Sequence, residues 1–431
     1  MLKQYTSGII RAHRVYLLNL GTTFASQAVT ALSIFILTPL LLERLGKEDF
    51  GWYGYLLNIV AFSAMLDFGM NMGLLRRIIL EKDAAEKYLN TLFFFFVGIG
   101  ILAIPAFGAL FYSKLLSSRE LPWLSGFFVA ALACLFLLSY LFDTVINTGG
   151  KIYISKSIRI IKLLAELALS LYLLRYNDVY LLLGGAVAVN LLYILALFFA
   201  AKYQHAFTLR WSNASVHALA DHFRYSRWFF LASLATLITF NGQIFMLASI
   251  GGEKKVAQFL IVHRFFEVLR LALTNFTVVL TPRITTLQGE QNLLQIRKIY
   301  TLVMLRMSAG LILFFLMLYF WGLPVFQWWS GVRLPEVNQL FYVYAIFIWL
   351  IILDSVSAIF LGAMGINRIQ TIVALLQGGL SLLLTYLLYP SFGITGLAMA
   401  SCIALLATNF FFNPLYLWWY LRKHTHAAVA S

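Results

Sequence analysis

The feature that most constrains this chain is a series of apolar runs of roughly 18 to 28 residues, which recur from one end to the other. Each run is long enough to cross a hydrocarbon core of about 30 Å as a helix. Charged residues make up 11% of the 431 positions and hydrophobic residues 61%, whereas a soluble chain carries about 25% charged residues. The sequence shows no long alternation of apolar and polar residues, which argues against an outer-membrane barrel. It therefore predicts an all-α integral membrane protein.

Turn residues and charges divide these runs into twelve predicted transmembrane helices. The first run is too long for a signal peptide and lacks a small-residue cleavage site, so we interpret it as the first span. The longest break, at about 202–226, lies between spans six and seven. It predicts two six-helix lobes, residues 1–210 and 211–431, joined by a linker. The predicted spans are 15–42, 50–74, 89–112, 121–146, 157–175, 179–201, 227–250, 256–281, 299–321, 338–363, 369–389 and 393–420.

The distribution of lysine and arginine predicts the orientation of these spans. If the N-terminus is cytoplasmic, about 20 of the 32 basic residues fall in cytoplasmic segments and about eight in outer ones. Both termini are therefore expected in the cytoplasm. The net charge of +15 needs no nucleic-acid partner, because positive inner loops facing anionic membrane lipids account for it.

The second half of the sequence repeats part of the first. A shift of 206 positions aligns the segment 50–60 with 256–266, and both segments follow a turn rich in Gly, Glu and Lys. A shift of 214 aligns 167–174 with 381–388. The repeat favours two equivalent lobes related by an axis along the membrane normal, as in many carriers.

A family resemblance is carried by one stretch, TPLLLERLGKEDFGWYGYLLNIVAFSAMLDFGMNMGLLRRI (38–78). Its distinctive features are Pro39, Leu45-Gly46, Phe50-Gly51-x-Tyr53, Asp67-Phe68-Gly69 and Arg76-Arg77. The stretch resembles the opening of the polysaccharide transporters, the Wzx-type O-antigen flippases of the multidrug/oligosaccharidyl-lipid/polysaccharide (MOP) exporter superfamily. The length, the twelve spans and the basic charge fit that family along the whole chain.

The resemblance implies both an architecture and an activity. It implies a V-shaped carrier of two lobes, similar to the multidrug and toxin extrusion (MATE) transporters, in the bacterial inner membrane. Its cargo would be an undecaprenyl-diphosphate-linked repeat unit of O-antigen or another polysaccharide, moved from the cytoplasmic to the periplasmic leaflet. Besides this lipid-linked oligosaccharide and the membrane lipids, the polysaccharide polymerase machinery is a candidate partner.

Charged residues interrupt span eight at mid-bilayer depth. Arg264, Glu267 and Arg270 lie roughly 12–21 Å along this helix, beside His263. They fall with other polar residues within an arc of about 160°, which should face the interior because a charge facing lipid is costly. Either Glu267 pairs with one arginine as a structural bridge, or the surplus arginine binds a moving anion, since its guanidinium fork fits phosphate. We favour the second interpretation.

Two other spans contain basic residues at depth. Lys162 and Glu166 stand at i,i+4 in span five, where an intrahelical ion pair is the default, although Glu166 is also placed to titrate. Arg306 in span nine either extends to the inner headgroups or lines the cavity. The predicted diphosphate-binding residues are therefore Arg264, Arg270, Lys162 and Arg306.

Carboxylates inside spans are candidates for coupling transport to H⁺ or Na⁺. Asp67 lies near the inner end of span two, where a bridge to Arg76 or Arg77 is the alternative interpretation. Asp354 lies deeper, in span ten. The predicted ion-coupling or gating residues are Glu166, Glu267, Asp354 and Asp67.

Uncharged polar residues inside spans either join helices by hydrogen bonds or contact a sugar. The candidates for sugar contact are Asn58, Asn190, Asn241, Gln243 and Gln377.

The sequence lacks a Walker motif, paired Cys/His metal spacing and a G-x-S-x-G elbow. We therefore expect neither a cofactor nor catalysis, and we expect an alternating-access carrier driven by an ion. Two alternatives remain. A polysaccharide polymerase or ligase should carry a long outer loop, whereas the outer segments here are short. A multidrug or cation antiporter of the same superfamily should place carboxylates in its cavity, whereas this chain places arginine and lysine at depth.

Overall fold

The computed structural model describes residues 2–80, 85–113, 122–205, 207–278 and 280–430, and all regular structure in these ranges is helical. The α-helices are α1 (Leu2–Ser63), α2 (Met70–Leu80), α3 (Ala85–Tyr112), α4 (Pro122–Thr148), α5 (Ile152–Leu173), α6 (Val179–Gln204), α7 (Val216–Val278), α8 (Thr281–Gly289), α9 (Leu293–Met317), α10 (Leu323–Ser330), α11 (Pro335–Ala363), α12 (Asn367–Ala407) and α13 (Asn409–Ala430). Short 3₁₀ segments occupy Ala64–Asp67, Leu174–Tyr176 and Trp211–Asn213, and a π-helical turn at Leu318–Gly322 joins α9 to α10.

The helices account for the twelve predicted spans. Within the described ranges, seven helical stretches are long and apolar enough to cross a membrane, and a bent pair, Ser233–Thr239 with Asn241–Arg270, adds an eighth. That pair holds two predicted spans, as do the stretches Leu17–Asp67 and Arg368–Lys423. The remaining span is α5, whose lysines, arginine and glutamate reduce its mean hydropathy.

Glycines break the two long helices α1 and α7 at equivalent positions. Gly46 has φ 76° and ψ 175°, and Gly252 has φ 71° and ψ 176°. Residues with a side chain rarely adopt this conformation, because the Cβ atom collides with the neighbouring peptide groups. The two glycines are separated by the same 206 positions as the predicted repeat, so the backbone geometry supports that repeat.

The chain divides into two compact units, Met1–Ser233 and Leu234–Ser431. The core of the first unit includes Leu92, Phe96 and Leu141, all fully buried. The predicted linker at about 202–226 lies wholly within this first unit.

The core of the second unit is formed by α8, α9, α11 and α13. Its buried members include Ile296, Phe360 and Leu417. This packing holds α11 beside α13, and that pairing positions the polar residues of the site described below.

The predicted linker is bound along the first turns of α3. The Asn90 side chain donates to the Thr208 carbonyl oxygen at 2.9 Å and accepts from the Arg210 backbone N–H at 2.7 Å. The Thr91 hydroxyl accepts from the Ser215 N–H at 3.1 Å. The segment from Thr208 to Ser215 is therefore a docked strap, not a free tether.

A second set of contacts holds the first turns of α7 to the same unit. Arg77 forms an ion pair with Asp221 at 2.7 Å, and the Tyr88 hydroxyl donates to the same carboxylate at 3.1 Å. The hydrogen bond from Arg77 lowers the pKa of Asp221 below its ordinary value. Next to it, the fully buried His222 donates from Nε2 to the Met70 carbonyl oxygen at 2.9 Å.

Candidate functional site

The second unit contains a cavity of about 270 Å³ between α7, α11, α12 and α13. We call it the C-unit cavity. Its wall is mostly uncharged but carries one arginine and one aspartate. The lining residues are Ala235, Thr236, Thr239, Arg270, Ile351, Asp354, Ser355, Ala358, Gln370, Ala374, Gln377, Asn409 and Asn413.

Two amide–acceptor pairs form one side of the C-unit cavity. Asn413 donates to the Asp354 carboxylate at 2.8 Å, and Asn409 donates to the Gln377 side-chain oxygen. All four side chains are buried, with exposures from 1% to 7%. Asn409 and Asn413 are one helical turn apart, so they share a face of α13.

The side-chain oxygens of both asparagines are buried, and within the described part of the chain no group donates a hydrogen bond to them. A buried acceptor of this kind costs free energy until a donor or a cation satisfies it. Together with Asp354, the two amide oxygens make one wall of the cavity rich in oxygen and suited to a hydroxyl group or a small cation.

The two arginines of span eight have different surroundings in the structure. Arg264 pairs with Glu267, with 2.9 Å between Nη1 and Oε2, as the structural-bridge interpretation requires. Arg270, one turn further along α7, lines the C-unit cavity. His263 lies beside them and its Nδ1 is 2.7 Å from the Tyr344 hydroxyl. Arg264 therefore forms the bridge, and Arg270 lines the cavity.

The other predicted diphosphate-binding residues lie outside the C-unit cavity. Lys162 pairs with Glu166 along α5 at 2.6 Å, which is the default that the i,i+4 spacing predicts. Arg306 is exposed on α9 between Leu305, 67% exposed, and Leu313, 64% exposed. This apolar surrounding fits an arginine that extends along lipid toward the headgroups.

Asp67 is buried at the end of the first 3₁₀ segment, and its partner is close in sequence. Its Oδ1 accepts from the Asn71 side chain at 2.7 Å and from the Asn71 backbone N–H at 3.1 Å. Arg77, one of its two predicted partners, pairs with Asp221. Asp67 therefore stabilises the start of α2 within the first unit.

Among the predicted sugar-contact residues, Gln377 lines the C-unit cavity, while Gln243 joins two helices. The buried Gln243 places Nε2 within 2.7–3.3 Å of four oxygens, those of Ser381, Thr385, the Leu397 carbonyl and Ser401. Asn190 donates to the Ala186 carbonyl of its own helix at 2.8 Å. Asn58 is buried in the first unit and Asn241 is half-buried in the second.

Sequence reasoning missed Asn409 and Asn413. The available signal was the spacing NFFFN, two asparagines one turn apart in a strongly apolar segment. Two asparagines at this spacing lie on the same face of a membrane helix and make that face polar.

Replacing Gln243 with leucine is expected to lower the free energy of unfolding by about 1–3 kcal/mol, because buried oxygens of α12 lose their donor. Thermal unfolding of the purified protein in detergent measures the effect. Asn190→Leu is the matched control, since Asn190 bonds to its own helix, and its change should be within about 0.5 kcal/mol. Equal losses of stability in the two variants would contradict a joining role for Gln243.

The fold is shared with solved transporters of low sequence identity. The structure of the lipid II flippase MurJ in an inward closed conformation matches with a TM-score of 0.70 and 13% identity, covering 94% of this chain and 87% of that one. An inward-facing multidrug resistance MATE transporter of the MOP superfamily matches with a TM-score of 0.68 and 17% identity, covering 91% and 95%.

A third similar structure is a MOP superfamily transporter from Pyrococcus furiosus, for which a binding pocket of reverse polarity has been described. It matches with a TM-score of 0.67 and 14% identity, covering 95% of this chain and 96% of that one. These likenesses show the fold, an all-α membrane fold of the kind found in transporters of the MOP superfamily.

The sequence comparisons identify the family. No protein of curated function matches the sequence significantly. The family model for polysaccharide biosynthesis proteins matches residues 17–288, which is more than half of the chain and includes the stretch that carried the resemblance. With the fold and this match in agreement, the chain belongs to the polysaccharide biosynthesis protein family.

Proposed function

We propose that the protein moves an anionic, lipid-linked oligosaccharide from the cytoplasmic to the periplasmic leaflet of the bacterial inner membrane. The observation that carries this proposal is the C-unit cavity, where the guanidinium of Arg270 and a wall of amides and hydroxyls line the same space. A cargo that carries a diphosphate and a sugar head requires a cationic group for the diphosphate and hydrogen-bonding groups for the sugar.

The phosphate-binding part of the proposal rests on Arg270. A guanidinium group presents a planar fork of donors that matches phosphate oxygens. Arg270 lines the C-unit cavity, whereas the other three predicted diphosphate-binding residues do not. We therefore assign the primary contact with the diphosphate to Arg270 and supporting roles to Arg264, Lys162 and Arg306.

The sugar-binding part rests on the uncharged polar groups of the same cavity. Gln370 and Gln377 provide amides, while Thr239 and Ser355 provide hydroxyls. The buried acceptor oxygen of Asn409 receives no hydrogen bond from the described residues, and a sugar hydroxyl would supply a donor. The cavity holds a small part of a repeat unit, and the lipid tail would stay in the bilayer.

Family and fold support the same class of cargo. The family is described by its part in polysaccharide biosynthesis, and one structure with the same fold is a lipid II flippase. On this basis the lipid carrier would be undecaprenyl diphosphate, and the repeat unit would be that of an O-antigen or a related polysaccharide. Transport would proceed by alternating access, in which the cargo site opens to each side in turn.

Asp354 is our candidate for ion coupling. It faces the C-unit cavity with the oxygens of Asn409 and Asn413 nearby, and either a proton on the carboxylate or a Na⁺ among the three oxygens would fit this wall. Binding of the ion would then change the net charge of the C-unit cavity, where the diphosphate binds in this proposal. Asp67, Glu166 and Glu267 have local partners and would serve gating.

The test is transport by the full-length protein in proteoliposomes. A fluorescent undecaprenyl-diphosphate-linked sugar, added to one leaflet, should become accessible on the other only in vesicles that hold the protein. Asp354→Asn should remove the response of this rate to imposed H⁺ and Na⁺ gradients. Movement of a cationic dye without movement of the lipid-linked sugar would instead establish the multidrug antiporter, and lengthening of the sugar chain would establish a polymerase.

A further inference from the structure

The first unit contains a second open space, which the transport proposal does not use. A groove of about 660 Å³ lies between the start of α7, the start of α2 and the first turns of α3. We call it the basic groove. It is lined by Phe68, Met70, Phe95, Val216, Leu219, Ala220, Phe223, Arg224 and Arg227.

The floor of the basic groove is apolar and aromatic. The Phe68 ring lies 5.7 Å from that of Phe223 and 6.4 Å from that of Phe95, centroid to centroid. Val216 is 84% exposed and Phe223 is 43% exposed. A continuous apolar surface of this kind is typical of a binding site for an apolar ligand.

The charge on the groove has one sign. Arg224 and Arg227 are three positions apart on α7, so both lie on one side of the helix, and both are exposed. Among the described residues that line the groove, these two are charged and neither aspartate nor glutamate occurs. The ligand that complements it therefore combines an apolar body with an anionic group.

The walls are held in place before any ligand binds. The Arg77–Asp221 ion pair and the His222–Met70 hydrogen bond fix the first turns of α7 against α2. Phe68 adopts φ 48°, a conformation that residues other than glycine rarely hold and that surrounding contacts must maintain. Binding would therefore cost little ordering of the protein.

The predicted spans place the groove at the level of the lipid headgroups. Phe68 and Met70 follow the second predicted span, and Phe95 lies early in the third. By the distribution of basic residues, these ends face the cytoplasm, where the leaflet is rich in anionic lipids.

We propose that the basic groove binds an anionic glycerophospholipid of the cytoplasmic leaflet, with its phosphate at Arg224 and Arg227 and its acyl chain on the phenylalanine floor. The groove shares no lining residue with the C-unit cavity. A free phosphate would use the arginines alone and leave the apolar floor unoccupied.

The test is native mass spectrometry of the full-length protein released from mixed micelles of phosphatidylglycerol and phosphatidylcholine. The wild-type protein should retain phosphatidylglycerol over phosphatidylcholine, and added glycerol 3-phosphate should not displace it. The double variant R224Q/R227Q should bind phosphatidylglycerol roughly 30-fold more weakly, since two cations near the membrane surface are lost.

The matched control is R297Q/K298Q, which removes two exposed charges from the start of α9. It should bind phosphatidylglycerol like the wild type. Equal retention of both lipids by the wild type, displacement by glycerol 3-phosphate, or an equal loss in the control would each overturn the proposal. If the groove variant does not fold, the preference of the wild-type protein for phosphatidylglycerol over phosphatidylcholine still tests the proposal.

Discussion

Replacing Arg270 with glutamine is expected to reduce the transport rate of a lipid-linked diphosphate sugar by about 10- to 100-fold. This corresponds to the loss of a charged hydrogen bond of about 1.5–3 kcal/mol to the phosphate. Glutamine keeps a polar side chain of similar reach, so the cavity wall should persist. The rate is measured in proteoliposomes at a fixed ion gradient, and thermal unfolding checks that the variant is folded.

The control for Arg270 is the neighbouring ion pair. The double variant R264Q/E267Q removes both charges of the 2.9 Å bridge together, so neither is left without the other. Because Arg264 has only a supporting role in the proposal, this variant should reduce the transport rate by less than R270Q does. The single variant R264Q should lose stability, because Glu267 is then left without that guanidinium. If R264Q/E267Q abolishes transport and R270Q does not, the assignment of the phosphate contact to Arg270 is wrong.

Replacing Gly46 or Gly252 with alanine is expected to lower the free energy of unfolding by about 1–3 kcal/mol for each glycine. Their φ values of 76° and 71°, with ψ near 180°, belong to a region that a residue with Cβ populates only at this cost. Apart from the adjoining backbone, no atom of the described residues lies within 4 Å of a Cβ built at either position, so crowding does not contribute. Thermal unfolding in detergent provides the measurement.

The matched controls are Gly21→Ala and Gly310→Ala, which lie inside helices. They likewise have nothing within 4 Å of an added Cβ, and their φ values are ordinary. Because alanine favours a helix over glycine by about 1 kcal/mol, these variants should be neutral or more stable. If alanine lowers the free energy of unfolding at Gly46 and Gly252 and raises it in the controls, the two glycines act through their backbone conformation. A loss of stability in only one of the two glycine variants would contradict the equivalence of the two breaks.

The sequence predicted the helices and the local pairs well, because both depend on short spacing. Apolar length determines a membrane helix, and i,i+3 and i,i+4 spacing brings Arg264 to Glu267 and Lys162 to Glu166. The repeat at a shift of 206 anticipated the paired glycine breaks, although the φ values themselves require the structure.

The candidate site was predicted only in part, because its residues meet across distant helices. Asp354 lies 59 positions from Asn413, and Gln377 lies 32 positions from Asn409. These contacts depend on the break between α12 and α13 at Thr408, where φ is −125° and ψ is −98°. The apolar sequence around Thr408 contains no glycine or proline at the break itself, so the sequence offered no sign of it.

The docked strap, Thr208 to Ser215, and the ion pair of Asp221 limit how far the chain between α6 and α7 can extend. A loose chain of some twenty residues would let its ends move apart by roughly 25 Å. Here Thr208, Arg210 and Ser215 are hydrogen-bonded to α3, and Asp221 at the start of α7 is paired with Arg77. This stretch therefore cannot extend in that way while these contacts hold.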